Sequence, residues 1–500
     1  MRELRLAPAA LLMWACTWLT IYFRHPGWAV LLLSFVVLAA YFKRAIGQIW
    51  VLSSLGSAAA ILSWWRCYHA WNLRTVPGEI SGKLATAAKK ITTVKGPETW
   101  LLRLKIPSQP EVITVFLKNP KGLIPLDLGT PVVLKAQWSA AEKLGLSQVV
   151  GSSQQIEVGK LSGWAAWVSQ IRSGFRQSSE AFVGPSGKGL IPGMVLGDTS
   201  LQTPAEFQAY IATGLSHLCA VSGANVAILS TALVLVALAL GFSPRAQIAT
   251  ALSGIAVFFL LVGPEPSVLR ASVTGVVGLC AVLGSATMPA AHGLSLAIIG
   301  LLLWDSDLAC QWGFALSVCA TAGIIGVYPL IFSTISTWAL KFRSTQIIPV
   351  IIWRALAVSI AADMVTMPLI AAMTGKVSLV AILANMLVAP VVGVVTVVGL
   401  IAVLLSLIPG NLEWLPLQII RPATWWIFQV AQYLSKWRLA TINASPLWAI
   451  LGYGWTLWVL WMLVQPRMDN HATGPPHFGK RQIPGRTTSS PDHCPNPGRN

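Results

Sequence analysis

The chain has 500 residues, of which 55% are hydrophobic and only 10% are charged, and its mean hydropathy is +0.67. Soluble domains carry about 25% charged residues, so this composition excludes an ordinary soluble protein and indicates a polytopic membrane protein. Lys and Arg number 35 against 17 acidic residues, a net charge of +18. Basic loops also face the cytoplasm or anionic lipid, so this excess alone does not establish nucleic-acid binding.

Three apolar segments open the chain, at 6–23, 28–42 and 48–65, and predict an N-terminal transmembrane unit within residues 1–66. The first segment resembles a signal sequence but lacks a small-residue cleavage site, so we interpret it as a retained anchor. Lys43 and Arg44 separate the second segment from the third. If these two residues face the cytoplasm, three crossings deliver the following region to the outer side of the membrane.

Residues 71–160 differ from the rest of the chain because they contain short, β-branched runs of alternating polarity, separated by turns such as Gly96-Pro97 and Asn119-Pro120. We predict a small extracytoplasmic β domain of about five strands, with an OB-like barrel as its fold. From 74 to 160 there are twelve Lys or Arg and six Asp or Glu, a net charge of +6.

This charge has two interpretations. A basic groove with stacking aromatic side chains binds a single nucleic-acid strand, whereas a purely structural barrel has a solvated basic face and a buried tryptophan. The sequence favours the structural interpretation, because Trp100, Phe116 and Trp138 are few candidates for stacking. The candidate DNA-binding residues are Lys83, Lys89, Lys90, Trp100, Arg103 and Lys105.

Residues 161–190 form a linker with an amphipathic helix at about 162–183, which we expect to lie in the membrane interface. Apolar residues recur there at helical spacing, opposite Arg172 and Arg176. The following Gly184-Pro-Ser-Gly-Lys-Gly lacks both the spacing and the preceding strand of a phosphate-binding loop, so we predict no nucleotide site.

From 191 to 465 nine further apolar segments predict a second transmembrane domain, and Pro390 leaves open whether 379–407 is one helix or two. The tail at 466–500 is basic and rich in Pro, Gly and Ser, which predicts a disordered cytoplasmic end. The seven cysteines are scattered without C-x-x-C spacing, so we expect no disulfide scaffold, no metal and no cofactor.

A polar, glycine-broken stretch at 213–227 precedes one of these apolar runs. Its small residues are consistent with close helix packing alone. His217 and Asn225 are not required for such packing, and they are costly in lipid unless they face protein or a water-filled cavity. The stretch therefore indicates a polar pathway or a binding site.

Other polar residues at membrane depth suggest the same pathway. Glu265 and Arg270 flank the start of a helix and could pair, although a loop with a snorkelling arginine is the alternative. Asp363 and Asn385 each lie in an apolar segment interrupted by a proline. Discontinuous helices with polar side chains are typical of transport proteins.

Several motifs together resemble those of the ComEC family of competence proteins, which pass single-stranded DNA across the bacterial cytoplasmic membrane. They are Ile191-Pro-Gly-Met-Val-Leu-Gly-Asp, Gly214-Leu-Ser-His-Leu-Cys-Ala-Val-Ser-Gly-Ala-Asn, Pro266-Ser-Val-Leu-Arg-Ala, Trp312-Gly-Phe-Ala-Leu-Ser and Val377-Ser-Leu-Val-Ala-Ile-Leu-Ala-Asn. The resemblance implies an α-helical polytopic membrane protein with an OB-like outer domain and a competence-type transmembrane domain.

The resemblance also implies a role for residues at the motif positions. With Glu265, the channel candidates are Asp198, His217, Ser222, Asn225, Arg270, Asp363 and Asn385. Members of the family more commonly have a histidine at the position of Asn225. The asparagine here lacks an imidazole, which argues against proton transfer or metal ligation at this position. Many family members continue into a metallo-β-lactamase-like domain, whose H-x-H-x-D-H cluster we do not find here, so we expect no nuclease activity.

The resulting prediction is a channel for uptake of single-stranded DNA during natural transformation. Without a nucleotide-binding motif, the pulling force comes from a cytoplasmic, helicase-like motor, and a DNA receptor and a separate nuclease are further expected partners. The alternative is a secondary transporter or envelope-assembly protein of the same fold with another cargo. A membrane hydrolase using Ser222 or His217 is less well supported, because no nucleophile, base and orienting acid occur in one motif.

Overall fold

The computed structural model describes residues 6–91, 99–118, 126–283, 288–341 and 349–448, together with 450–451, 454–455 and 458. The predicted tail at 466–500, the turns at Gly96-Pro97 and Asn119-Pro120, and most of the last predicted apolar segment lie outside the described residues.

The N-terminal unit consists of three helices, α1 (Ala7–Phe23), α2 (Gly27–Phe42) and α3 (Ile46–His69). Their bounds agree closely with the apolar segments. Helix α1 is the central one, since it buries Met13 and Cys16 completely in a core shared with α3 and a later helix. Helix α2 buries only Ala29 and exposes large apolar side chains, as expected of a helix that faces lipid.

The β domain follows with eight strands rather than about five. They are β1 (Glu79–Leu84), β2 (Lys89–Ile91), β3 (Thr99–Lys105), β4 (Val112–Lys118), β5 (Pro131–Lys135), β6 (Gln137–Ala140), β7 (Val149–Ser153) and β8 (Ile156–Val158). The sheet order is β6-β7-β4-β3-β1-β5-β8, with β2 on β3. The β4–β7 pair is parallel and the others are antiparallel. Only Ala136 separates β5 from β6, so the chain passes directly from the second-to-last strand of the order to the first.

Helix α4 (Gly163–Phe182) lies where the amphipathic helix is predicted. Its apolar stripe of Val168, Ile171 and Phe175 is buried in the largest core of the protein, with α5 (Leu190–Leu196) and the last two long helices. Trp164 and Trp167 remain about half exposed. The stripe therefore packs on protein, while the two tryptophans keep apolar surface exposed.

The rest of the chain is helical. After α6 (Pro204–Ala212) and a 3-10 turn at Ser216–Cys219 come α7 (Gly223–Ala239), α8 (Pro244–Val262), α9 (Pro266–Leu283), α10 (Ala290–Trp304), α11 (Trp312–Gly326), α12 (Tyr328–Lys341), α13 (Val350–Thr374), α14 (Ala381–Leu405) and α15 (Trp414–Ser435). A second 3-10 turn, Ser306–Cys310, joins α10 to α11. Helix α14 continues through Pro390, so the apolar run there forms one helix. Strands β9 (Lys376–Ser378) and β10 (Thr441–Asn443) pair and tie the ends of α13 and α15 together.

Four described helices, α3, α8, α13 and α14, are long and apolar enough to cross a membrane, and α11 with α12, bent by 44°, makes a fifth if the pair is one span. The apolar helices α1, α2, α7, α9 and α10 have 15 to 18 residues. Such helices extend about 22–27 Å, somewhat less than the roughly 30 Å hydrocarbon core. The described part is thus a multi-pass membrane protein, with fewer full-length spans than the twelve segments predicted.

Candidate functional site

One face of the β domain carries most of the predicted DNA-binding cations. Lys83 lies opposite Lys105, and Lys89 lies opposite Leu101. Paired residues of neighbouring strands lie on the same face of a sheet. Arg103 stands between Leu101 and Lys105 on β3 at a spacing of two, so it shares this face. We call Lys83, Lys89, Arg103 and Lys105 the basic face.

The other two predicted DNA-binding residues do not join the basic face. Lys90 lies opposite Trp100, and both positions belong to the other side of the sheet. There Trp100 packs against the core of the β domain, so it is not available for stacking at the basic face. Phe116, opposite Leu101 on β4, does share the basic face, and it is half-buried. The side chain of Lys90 lies outside the described set.

The basic face adjoins the helical bundle at the turn between α8 and α9. Lys89 Nζ lies 2.8 Å from Glu265 Oε1. Burial tends to raise the pKa of Glu265, but Lys89, Arg103 and Arg172 together lower it below its ordinary value, so the carboxylate stays ionised. Lys105 instead donates to the carbonyl oxygens of Gln109 and Pro110, at 3.1 and 2.9 Å.

Beneath this turn a buried arginine joins the β domain to the bundle. Arg172 of α4 is only 4% exposed, and its Nε lies 3.5 Å from Asp127 Oδ1 of the β domain. Its guanidinium also donates to the carbonyl oxygens of Leu196 and Leu261, at 3.0 and 2.9 Å. Ser169 donates to the other oxygen of Asp127 at 2.6 Å. The arginine therefore connects three separate elements, α4, α5 and α8, to the β domain.

Arg172 does not lie on the polar side of α4, so the prediction made from the sequence is wrong for this residue. Arg172 follows Val168 by four residues and precedes Phe175 by three, which places it within the apolar stripe. That spacing was the available signal that the arginine is buried. Asp127 was not a candidate residue, because no neighbouring residue in the sequence indicates that its partner is Arg172.

Asp198, a predicted channel residue, lies in the loop after α5 and is 7% exposed. Arg176 holds its Oδ2 with Nη2 at 2.7 Å and Nε at 2.8 Å, while the Ser200 amide donates to Oδ1 at 3.0 Å. Burial tends to raise the pKa of Asp198, but Arg172 and Arg176 outweigh this and lower it. Asp198 is therefore an ionised residue that organises the loop.

These groups surround a cavity of about 60 Å³ where the β domain meets the bundle, lined by Lys89, Arg172, Asp198, Gln202 and Glu265 among others. Its lining combines the basic side chains of Lys89 and Arg172 with the carboxylates of Asp198 and Glu265.

The predicted polar break before α7 is present, and its polar side chains are hydrogen-bonded. After the 3-10 turn at Ser216–Cys219 the chain is extended until α7 begins at Gly223. Ser222 donates to Asn225 Oδ1 at 2.9 Å, and the buried Asn225 amide donates to the Met194 carbonyl oxygen at 2.7 Å. Ser267, in the first turn of α9, donates to the Val221 carbonyl oxygen at 2.6 Å. Three elements thus meet at the break.

His217 lies in the same 3-10 turn but points elsewhere. Its ring is exposed, and Nδ1 lies 3.0 Å from the Gly214 carbonyl oxygen. Gly214 has φ +71, and a Cβ built on it would lie 2.6 Å from the Ala381 Cβ at the start of α14. The glycine therefore allows the break to pack closely against α14.

Glu265 and Arg270, which the sequence left open as a pair, are not partners. Glu265 pairs with Lys89, and Arg270 turns into the bundle, where Nε donates to Ser317 of α11 at 2.7 Å. Arg270 also packs beside Gly223, where a Cβ would lie 2.8 Å from its guanidinium. Arg270 therefore belongs with Ser222 and Asn225 at the break.

Asp363 and Asn385 are half-buried in α13 and α14. Near Asp363, α13 crosses α11 closely, since a Cβ on Gly323 would lie 2.7 Å from the Ala361 carbonyl oxygen. This crossing involves neither the break nor the basic face, so the eight channel candidates fall into more than one group. Within the described residues, no cluster of three or more His, Cys, Asp or Glu side chains could hold a metal ion.

Comparisons with known proteins agree with the motifs. A family model described as "Competence protein" matches residues 194–467, more than half of the chain. The chain is similar to ComE operon protein 3 of Bacillus subtilis (strain 168), at 27% identity over 158 residues, covering 32% of this chain and 20% of that relative. It thus spans about a fifth of the length of the relative that it matches. No solved structure matches significantly. The matched region contains α7 to α15 and the polar break, and the chain belongs to the competence protein family.

Proposed function

We propose that the chain conducts single-stranded DNA across the bacterial cytoplasmic membrane during natural transformation. The observation that carries the proposal is the position of the basic face, next to the turns at one end of a bundle of the competence family. Lys83, Lys89 and Arg103 offer the positive charge that a phosphate backbone requires. Phe116 offers an aromatic ring on the same face.

The strand pairing supports an OB-like β domain. One bent strand, β5 with β6, pairs with β1 on one side and with β7 on the other, and β7 runs parallel to β4. Barrels of this type bind oligonucleotides on the second and third strands of a five-stranded order, which correspond here to β3 and β4. Arg103, Lys105 and Phe116 lie on those two strands.

We place the β domain outside the cytoplasm and the carboxyl-terminal tail inside it, following the basic residues Lys43 and Arg44. In the conformation described, Ser222 and Asn225 are bonded to each other and to backbone, so conduction requires these bonds to open. A cytoplasmic helicase-like motor would supply the force, a DNA receptor the substrate, and a separate nuclease would degrade the other strand.

Binding of a single-stranded oligonucleotide to the purified full chain in nanodiscs tests the proposal. Reversing two charges, Lys83→Glu with Arg103→Glu, should weaken binding about tenfold at moderate salt and reduce the slope of log K against log salt by about 1.4, since each phosphate contact contributes about 0.7. The matched control is Lys143→Glu with Lys160→Glu, two exposed lysines outside the strands that carry the basic face. Equal effects in both pairs would argue against DNA binding at this face.

Uptake in a naturally transformable host gives the second readout. Deleting the gene should abolish entry of labelled DNA into the cytoplasm, and the Lys83→Glu, Arg103→Glu chain should fail to restore it at normal membrane abundance. Undiminished uptake after deletion would reject the conduit and favour a transporter of another cargo.

A further inference from the structure

The Lys89–Glu265 pair differs from the other contacts between the β domain and the bundle. It joins residues 176 positions apart at 2.8 Å, and its side chains are 50% and 26% exposed. The neighbouring Arg172–Asp127 pair is 4% exposed on both sides and has further hydrogen bonds. Because exposed ion pairs add little to stability whereas breaking a buried pair is costly, Lys89–Glu265 is the pair that can exchange partners.

Glu265 is presented to the basic face by a rigid turn. It lies between Pro264 and Pro266, whose rings restrict the backbone, and its amide donates to the Gly263 carbonyl oxygen at 2.9 Å. Gly263 has φ +93, which favours glycine. The carboxylate thus has a defined position rather than that of a mobile surface side chain.

A carboxylate held against a lysine presents the same chemistry as a phosphate diester, namely anionic oxygens that accept hydrogen bonds from an ammonium group. Arg103 also acts on Glu265, since it helps to keep the carboxylate ionised. The site that Glu265 occupies is therefore already suited to an oxyanion. A nucleic-acid strand, which makes several such contacts at once, can displace a single carboxylate.

Resting on the proposed function, we propose that Glu265 occupies a phosphate site on the basic face, and that a backbone phosphate of single-stranded DNA replaces it at Lys89 and Arg103. Glu265 thereby competes with DNA at the entrance to the bundle. It also links the site to the polar break, because Ser267, two residues further on, donates to the Val221 carbonyl oxygen at 2.6 Å.

The test compares two glutamate-to-glutamine variants of the full chain in nanodiscs. Glu265→Gln removes the competing charge, and Glu79→Gln is the matched control, because Glu79 forms an exposed ion pair with Lys135 at 3.5 Å in the same domain. Glu265→Gln should raise the affinity for a single-stranded oligonucleotide about fivefold, and increase the salt slope by about 0.7 because one more phosphate is bound. Glu79→Gln should change the affinity and the salt slope much less. Adding Lys89→Ala to Glu265→Gln should abolish the increase in affinity.

Equal affinities of Glu265→Gln and Glu79→Gln would overturn the inference, as would a gain that persists with Lys89→Ala. The proposed function would still stand in that case, provided that Lys83→Glu with Arg103→Glu weakens binding. If that charge reversal has no effect, both proposals fail. Should Glu265→Gln not fold, Glu265→Ala makes the same comparison, with the thermal midpoint of each variant as the folding control.

Discussion

Asn225 caps a helix that lies 31 residues earlier in the chain: its side-chain amide donates to the Met194 carbonyl oxygen at 2.7 Å. Met194 is in the last turn of α5, where carbonyl oxygens have no partner within the helix. Asn225 therefore stabilises both the polar break and the end of α5, and it does so as a hydrogen-bond donor.

The first prediction is that Asn225→Ala destabilises the chain by about 1–3 kcal/mol, because a buried carbonyl oxygen loses its partner. Asn225→Asp should be at least as harmful, since a carboxylate would face that oxygen without a donor. The thermal midpoint in detergent measures the stability, and DNA uptake per unit of membrane protein measures the function. The control is Asn443→Ala, at an exposed site on β10. A midpoint equal to that of the control would contradict the capping role.

The second prediction concerns Arg172. Arg172→Met should cost about 3–5 kcal/mol, because it leaves the buried Asp127 carboxylate without its counter-charge. Adding Asp127→Asn should recover part of the loss, since the amide needs no counter-charge. Arg245→Met, at an exposed position, is the control. Thermal unfolding of Arg172→Met, the double variant and Arg245→Met provides the measurement, and a double variant no more stable than Arg172→Met would argue against the ion pair.

The third prediction separates backbone strain from packing at Gly214. Gly214→Ala and Gly375→Ala both place a side chain at positive φ, which costs roughly 1 kcal/mol. Only at Gly214 does the new Cβ meet another atom, the Ala381 Cβ at 2.6 Å, whereas Gly375 has open space. Gly214→Ala should therefore cost about 1–3 kcal/mol more and reduce DNA uptake. Equal thermal midpoints of Gly214→Ala and Gly375→Ala would mean that α14 moves aside for the new methyl group without loss of stability.

The fourth prediction uses pH. Glu111 is 1% exposed, its Oε1 accepts from the Trp71 amide at 2.9 Å, and its Oε2 is buried without a hydrogen-bond partner among the described residues. Burial raises its pKa above the ordinary 4.5. The folded state therefore binds this proton more tightly than the unfolded state, and stability from this group is lost as the pH rises through the folded pKa.

Glu111→Gln should accordingly raise stability by about 1 kcal/mol at about pH 8, because no charge remains buried. The gain should shrink as the pH falls toward 4.5, because the raised pKa leaves more of the buried glutamate protonated at lower pH. Glu157→Gln, exposed on β8, is the control. Thermal midpoints of both variants across this pH range provide the measurement, and a gain that does not depend on pH would contradict the explanation.

Much of the fold could be predicted because it depends on local patterns. The three N-terminal helices agree with their apolar segments within a few residues. The alternating runs at 71–160 form strands, although short strands such as β2 and β8, of three residues each, have too little pattern to be found. The break around Ser222 and Asn225 was detectable because polar groups interrupt an apolar run.

The site was less predictable, since its members are far apart in the chain. Lys89 was a candidate for its charge and Glu265 for its position, yet nothing in either segment indicates that they meet. Glu265 and Arg270 are neighbours in sequence, which suggested a pair, but α9 turns them in different directions. Trp100 and Arg103 were grouped as one site, whereas the register places them on opposite faces.

What the sequence determined by itself was the kind of protein: a membrane chain with a basic β domain and the motifs of the competence family. Hydrophobic periodicity and motif spacing decide these features, and both are properties of short stretches of chain. The tertiary structure alone decided which polar groups become partners. Asn225 meets Met194, Arg172 meets Asp127 and Lys89 meets Glu265 because burial requires each of these groups to find a partner, and only the packing of distant helices and strands determines which one is within reach.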